Sequence, residues 1–181
     1  DGVVSEDPDL AQAATEIEAD LLTFGMTGVD AFAGLNGATA DAMGVSLESV
    51  DLALALISEV SGEQRQFTSL KASAGAADLV GVEGVTLSSD NMIVEINQGI
   101  KGTDGADDVV VDYASEQLEV LTATDAFQSI DFDGVDGEVI RAAGDLSVNL
   151  FDFVSLDGSF ALEKSTQTVT LASVDGEEAE E

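Results

Sequence analysis

Apolar and polar residues alternate along much of the chain, in a pattern that predicts β-strands. Within segment 43–56, Val45 and Leu47 occupy alternate positions, and Leu52 and Leu54 do so again after a change of parity. Period-two alternation puts such residues on one face of a strand. The parity change requires a local bulge, which keeps the same face buried on both sides of it. The pattern predicts two strand arms joined at a bend.

The same pattern of strand, bend and strand occurs five times, at irregular spacings. The copies cover residues 22–32, 43–56, 85–96, 143–150 and 156–162. Gly or Ser with Asp or Asn occupies each bend, and we expect the polar bend residues to hydrogen-bond to their own turns. These bend residues are Asp30, Asp51, Asn91 and Asp145. We predict an all-β fold built from strand–bend–strand repeats, as either an irregular β-solenoid or β-roll, or a β-sandwich.

The two ends of the sequence differ from this pattern. Asp7 and Pro8 suit the start of a helix, which favours a short N-terminal helix near residues 8–20. Alternation over residues 16–24 favours a strand instead, and both interpretations stay open. We divide the chain into an N-terminal segment 1–20, which is a linker, helix or exchanged strand, a β-repeat domain 21–174, and an acidic tail or linker 175–181.

Charge excludes several classes of function. The 181 residues include 37 Asp and Glu against 5 Lys and Arg, which gives a formal net charge of −32. Such a polyanion is repelled by nucleic-acid phosphates and by anionic lipid. Its apolar runs are also shorter than the roughly 18 residues that a membrane-spanning helix needs. We therefore expect no nucleic-acid binding and no membrane insertion. Because 45% of the residues are hydrophobic, we expect a folded core.

The residue types that are missing narrow the possible chemistry further. Without His or Cys there is no Ser–His–Asp or Cys–His catalysis, and the usual zinc ligands are lacking. Paired carboxylates could hydrolyse glycosides, but sugar clefts are normally lined by aromatic residues, and the chain has no Trp and one Tyr, Tyr113. We therefore expect no enzyme activity. Lys71 and Lys164 lie in strand-like stretches, and we interpret them as exposed edge-strand charges that oppose aggregation.

Two segments are dense enough in acidic residues to suggest bound calcium. Segment 102–112 loosely resembles the Gly- and Asp-rich nonapeptide of calcium-binding β-rolls, and segment 131–138 has carboxylates at its first, third and sixth positions. Calcium binds about six to eight oxygen atoms, which clustered carboxylates can supply. Solvated β-turns also require Asp and Gly, so turn chemistry without metal is the alternative. The candidate ligands are Asp104, Asp107, Asp108, Asp131, Asp133 and Asp136.

Five segments of the chain together resemble one class of repeat protein. They are residues 23–37, 44–56, 69–75, 94–98 and 158–165. Together they resemble long tandem repeats of giant, acidic, adhesin-like bacterial proteins of the cell surface or the secreted fraction. The resemblance spans about residues 16–172 and implies that the chain is one repeat unit, without implying an activity. We therefore expect a structural or adhesive repeat module of an extracellular surface protein or filament, with neighbouring copies of itself as partners in a tandem array or homopolymer.

Two other interpretations stay open. In the first, the loops at 104–112 and 131–138 are ordered by calcium and present a binding site for a glycan or a protein. In the second, composition alone indicates a halophile-type acidic protein. Within the structural interpretation, residues 1–20 could add a strand to the open sheet edge of a neighbour.

Overall fold

The computed structural model describes residues 16–37, 39–100, 109–164 and 170 of the chain. These residues form eight β-strands and one short 3-10 helix, Gly134–Asp136. The strands are β1 Ala19–Leu35, β2 Met43–Glu59, β3 Gln66–Val80, β4 Val85–Ile100, β5 Leu118–Ala123, β6 Ala126–Ile130, β7 Val139–Leu150 and β8 Val154–Lys164. The prediction of an all-β fold is confirmed.

Six of the strands form one antiparallel sheet, and the other two form a hairpin of their own. The order in the large sheet is β1-β2-β3-β4-β7-β8, and β5 pairs with β6. Neighbours in the large sheet are also neighbours in sequence, except between β4 and β7, where the chain leaves to form the hairpin. Antiparallel pairing of successive strands differs from the stacked rungs of a solenoid, whereas two packed sheets agree with the sandwich alternative.

The predicted N-terminal helix overlaps the first strand. Its last two residues, Ala19 and Asp20, belong to β1, so the strand alternative applies there. The rest of the predicted helix up to residue 15 lies outside the described residues, as do the proposed tail 175–181 and most of the proposed segment 1–20. The strand exchange predicted for that segment stays a prediction.

Each predicted repeat of strand, bend and strand lies within one long strand that contains or adjoins a local irregularity. The backbone φ angle is 60° at Gly28, 53° at Ser49 and 53° at Asn91, and the register shifts beside each of them. Such left-handed residues accompany bulges, which add one residue and restore the alternation. Residues at and beside these irregularities align across the sheet in what we call the bend row, which consists of Gly28, Asp30, Ser49, Asp51, Gly75, Asn91, Asp145 and Ser159.

The register shows which side chains share a face, because directly paired residues point to the same side. One face, which we call the apolar face, carries large hydrophobic residues on both sides of the bend row. On one side its central rung is Phe24, Leu54, Leu70, Ile96 and Ile140. On the other side a rung runs through Ala31, Leu47, Ala77, Ser89 and Leu146. The bulges therefore keep the apolar residues of successive strands on one side.

The opposite face, which we call the charged face, is covered over about half of its length. Residues 109–138, which we call the cover, pack on the part of the sheet that contains the start of β1, the end of β2 and the start of β3. The approach is so close at Gly25 that an added Cβ would lie 2.4 Å from the carbonyl oxygen of Leu121. The small core between the two layers consists of Ala53, Ala55, Tyr113, Val120, Ile130 and Phe132.

The bend row thus separates two regions of the large sheet. The covered half has a second layer on its charged face and holds the core. The single-layer half consists of the strand segments 29–35, 43–48, 76–80, 85–90, 145–150 and 154–159, and none of the described core residues between the two layers lies in it.

Candidate functional site

The second acidic segment forms a capped turn at the margin of the cover. Asp133 precedes the helical turn Gly134–Asp136, and its Oδ1 accepts a hydrogen bond from the backbone N–H of Val135 at 2.9 Å. Asp131 forms an ion pair with Lys71 of β3. Asp136 lies in the first helical turn and is exposed. The three predicted ligands therefore have separate surroundings, and two of them hydrogen-bond to protein groups.

Asp112 joins the two acidic segments. Its Oδ1 accepts hydrogen bonds of 3.0 Å from the backbone N–H groups of Ala114 and Gly134. These two bonds stabilise the carboxylate and lower the pKa of Asp112 below its ordinary value. A carboxylate that is satisfied by backbone donors in this way is typical of Asx-turn capping.

The other predicted ligands, Asp104, Asp107 and Asp108, lie outside the described residues. Among the residues that the structure describes, no group of three or more His, Cys, Asp and Glu side chains is arranged to hold a metal ion. Calcium binding by the two segments stays a prediction.

A ladder of alternating charges crosses the charged face beside the cover. Arg141 of β7 donates hydrogen bonds of 2.9 Å to Glu95 of β4 and to Glu163 of β8. Lys71 of β3 continues the ladder, with its Nζ 3.6 Å from Glu95, and ends it in the ion pair with Asp131 of the cover. The ladder therefore ties four strands of the large sheet to the second layer.

The interpretation of Lys71 as an edge-strand charge is wrong. It lies on β3, an interior strand, and its Nζ is 5.0 Å from the centre of the Phe132 ring. The favourable contact of a cation with an aromatic face adds to its ion pairs. Lys164 does lie on the edge strand β8, where its side chain is exposed and its Nζ is 3.8 Å from Glu138.

A buried chain of hydrogen bonds lies under the cover. Tyr113 donates from its hydroxyl to Ser69, Ser69 donates to the side-chain oxygen of Asn97, and the Asn97 amide donates to the carbonyl of Val111, each at 2.9 Å. Ser69 and Asn97 are completely buried. Burial raises the pKa of the Tyr113 hydroxyl. Tyr113 therefore anchors the cover to β3 and β4.

The polar residues of the bend row form hydrogen bonds with neighbouring strands. The prediction that they cap their own turns is therefore wrong. Asp51 of β2 accepts from the hydroxyl of Thr27 at 2.6 Å and from the N–H of Gly28 at 3.0 Å, both on β1. Asp30 of β1 accepts in return from the N–H of Ser49 on β2 at 3.0 Å. Each carboxylate thus accepts a hydrogen bond from a backbone N–H group that the bulge on the neighbouring strand leaves without a partner in the sheet.

Asp145 has the same role at the other end of the bend row. Its carboxylate accepts from the hydroxyl of Ser159 at 2.7 Å and from the amide of Asn91 at 3.0 Å, so three adjacent strands are connected. These hydrogen bonds lower the pKa of Asp145. The bend row also brings backbones close together, because a Cβ added to Gly75 would lie 3.3 Å from the Cβ of Ser49.

The apolar face of the large sheet exposes several large hydrophobic side chains. Residues on its outer strands are well exposed, and the exposed fraction of the residue is 65% for Leu22, 55% for Phe24 and 64% for Leu162. The sequence pattern located these residues on one face, but we expected that face to be buried in a core. The described chain instead places its core on the opposite face. No helix in the described ranges is long and apolar enough to cross a membrane.

Comparison with protein-family models, with curated proteins and with solved structures found no match. The geometry of the sheet, its edges and its apolar face therefore provides the basis for a functional hypothesis.

Proposed function

We propose that the chain is a structural repeat module of an extracellular surface protein or filament, in which neighbouring copies join through the edges of the large sheet. The observation that supports this proposal is the geometry of the two outer edges of the large sheet, with which no other described strand pairs. Strands β1 and β8 lie at opposite edges, and the alternating order of the sheet makes them antiparallel to each other. A copy displaced sideways therefore places its β1 beside β8 in the orientation that an antiparallel ladder requires.

The positions of the strand ends suit the same arrangement. The first residue of β1, Ala19, pairs with Glu59, and the last residue of β8, Lys164, pairs with Ile140, so both strand ends lie at the covered end of the sheet. A segment that connects β8 of one copy to β1 of the next would link two antiparallel strands at the same end, as a hairpin does. The proposed arrangement carries the antiparallel sheet, with its apolar face on one side, from copy to copy.

The edges are long for exposed strands. Strand β1 has 17 residues and β8 has 11, and neither contains Pro. Exposed edges of this length readily pair with further strands unless charges or bulges prevent it. Strand β1 has two charged residues, Asp20 and Asp30, and the bulge beside Gly28 affects only its centre. The charged residues of β8 are Asp157, Glu163 and Lys164, so residues 158–162 of this edge are uncharged.

Hydrogen exchange on two copies joined in one polypeptide tests this proposal. We expect amides of β8 in the first copy and of β1 in the second copy to exchange more slowly than in the single chain. The interior strands β2, β3 and β4 provide the internal control, because their amides are already paired in one copy. Equal exchange at both edges in the single and the joined chain would contradict the proposal.

A further inference from the structure

The apolar face is almost free of charge, although the chain has a net charge of −32. Among the described strands, the charged residues on this face are Asp20 and Lys164, both at the covered end. All other charged residues in the strands of the large sheet lie on the charged face or in the bend row. They are Asp30, Glu48, Asp51, Glu59, Lys71, Asp78, Asp90, Glu95, Arg141, Asp145, Asp157 and Glu163.

The apolar face is also large enough for a stable protein interface. Six strands spaced about 4.8 Å apart span roughly 24 Å, and a strand of the length of β7 extends about 40 Å, so the face covers about 1,000 Å². A stable interface of standard size buries about 800 Å² on each partner. Exposed apolar patches of this extent mark interaction surfaces.

We propose that the apolar face binds the same face of a second copy of this chain, so that the two large sheets pack against each other as a β-sandwich. Sheets that pack in this way lie about 10 Å apart with interdigitating side chains. A two-fold axis would bring the same patch of both copies together, which requires a surface that is complementary to itself. The three middle residues of the central rung, Leu54, Leu70 and Ile96, suit such a contact, because all three are aliphatic.

The distribution of charge favours a second copy over other occupants. In the face-to-face pair, both charged faces and both covers point outward, so the carboxylates of the two copies are separated by two sheet layers. That separation is comparable to or greater than the Debye length of about 8 Å in physiological salt, and repulsion between the copies is screened. Anionic lipid surfaces would meet an acidic protein unfavourably. A single extended segment of the same chain is also too narrow to cover six strands.

This surface is separate from the strand edges on which the proposed function rests. Sedimentation of the full chain over a range of concentrations tests it, with the double variant Leu54→Lys and Ile96→Lys compared with the wild type. We expect a dimer that the double variant weakens by about 100-fold or more, because unpaired charges would be buried in an apolar contact. The matched control is Ser88→Lys with Ser147→Lys, a directly paired position on the charged face, which should leave the dimer unchanged.

A second measurement keeps the test decisive if the lysine variants fold poorly. Single-cysteine variants Leu87→Cys and Ser88→Cys place a polarity-sensitive dye on adjacent positions that point to opposite faces. We expect the dye at residue 87 to move to an apolar environment as the protein concentration rises, and the dye at residue 88 to stay solvated.

Several results would overturn the proposal. One is a wild type that stays monomeric at every concentration. Another is a dye at residue 87 that is shielded from water at every protein concentration, which would indicate that a segment of the same chain covers the face. A third is a dye that is shielded only when zwitterionic vesicles are added, which would indicate a lipid partner. None of these results would change the hydrogen exchange that we expect at the strand edges of joined copies. The two proposals can therefore be contradicted independently.

Discussion

The covered half and the single-layer half are built from the same six strands but are stabilised differently. In the covered half, the alternating side chains of the charged face meet a second layer, and Ala53, Ala55 and Ile130 are completely buried. In the single-layer half, the strands are held mainly by backbone ladders and by the carboxylates of the bend row. Backbone pairing with one-sided contacts provides less hydrophobic stabilisation than burial between two layers.

The same alternation of side chains can produce a core on one face of a sheet and an exposed surface on the other. Small residues, such as Gly25 and Ala53, allow the cover to approach the sheet on one face. On the other face, large side chains such as Leu54 and Leu70 leave a surface that a partner can bury. We therefore expect the covered half to set the stability of the isolated chain, and the single-layer half to depend on contacts with other copies.

The largest expected difference between the halves concerns side-chain truncation. Ile130→Ala removes a fully buried side chain from the core and should lower the free energy of unfolding by about 2–5 kcal/mol. Leu156→Ala, in the single-layer half, removes a side chain that is 55% exposed and should cost less than about 1 kcal/mol. Chemical denaturation at a concentration where the chain is monomeric measures both. Equal losses would mean that the core does not dominate stability.

The buried hydrogen-bond chain should have the next largest effect. Asn97→Ala removes the acceptor of the buried Ser69 hydroxyl and the donor to the Val111 carbonyl, at a cost of about 1–3 kcal/mol for each hydrogen-bonding atom left unsatisfied. Tyr113→Phe is the milder control, because Ser69 still donates to Asn97 and only one hydrogen bond is lost. Denaturation curves that show a greater loss for Tyr113→Phe than for Asn97→Ala would contradict the expected order of the two losses.

The bend row should make the stability of the single-layer half depend on pH. Hydrogen bonds hold the pKa of Asp145 below its unfolded value, so the stabilisation is present above the unfolded pKa of an Asp and is lost as the pH falls through the folded pKa. Asp145→Asn should flatten this acid dependence of hydrogen exchange in β4, β7 and β8.

The control for this prediction is Asp78→Asn, which changes a carboxylate on the same face outside the bend row. Its acid profile should match that of the wild type. An unchanged profile for Asp145→Asn would show that its carboxylate does not stabilise the bend row through these hydrogen bonds.

The charge ladder should have the smallest effect. Arg141 is 40% exposed, and exposed ion pairs contribute only about 0–1 kcal/mol each. Because Arg141 forms two such pairs, Arg141→Gln should lower the free energy of unfolding by less than about 2 kcal/mol. The loss should shrink at high salt because screening weakens the wild-type pairs. A larger loss that is insensitive to salt would indicate that Arg141 contributes through packing.

Part of this fold can be predicted from the sequence because alternation and parity are local. The parity change between Leu47 and Leu52 predicts the bulge that the structure has at Ser49. Strand register decides which residues of neighbouring strands meet, and these residues are far apart in the sequence. The contacts of Asp51 and Lys71 could therefore not be predicted from the residues next to them in the chain. Alternation shows that Leu54 shares a face with Leu52, but it does not show which face the cover occupies.

Candidate sites were harder to predict for the same reason. The sequence marks Asp133 as a possible ligand, but its surroundings in the structure are those of a helix cap. The only signal for the role of Tyr113 is that an aromatic residue with one hydroxyl follows a run of valines, which does not identify Ser69 as its partner.

The position of Tyr113 gives the chain a built-in spectroscopic reporter. The sequence has no Trp and a single Tyr, so tyrosine emission comes from one residue, and that residue belongs to the cover and lies in the core between the two layers. Backbone circular dichroism, in contrast, averages over the whole polypeptide. Melting curves recorded by the two signals on the unmodified protein would coincide if both halves unfold together, and would separate if the single-layer half unfolds first.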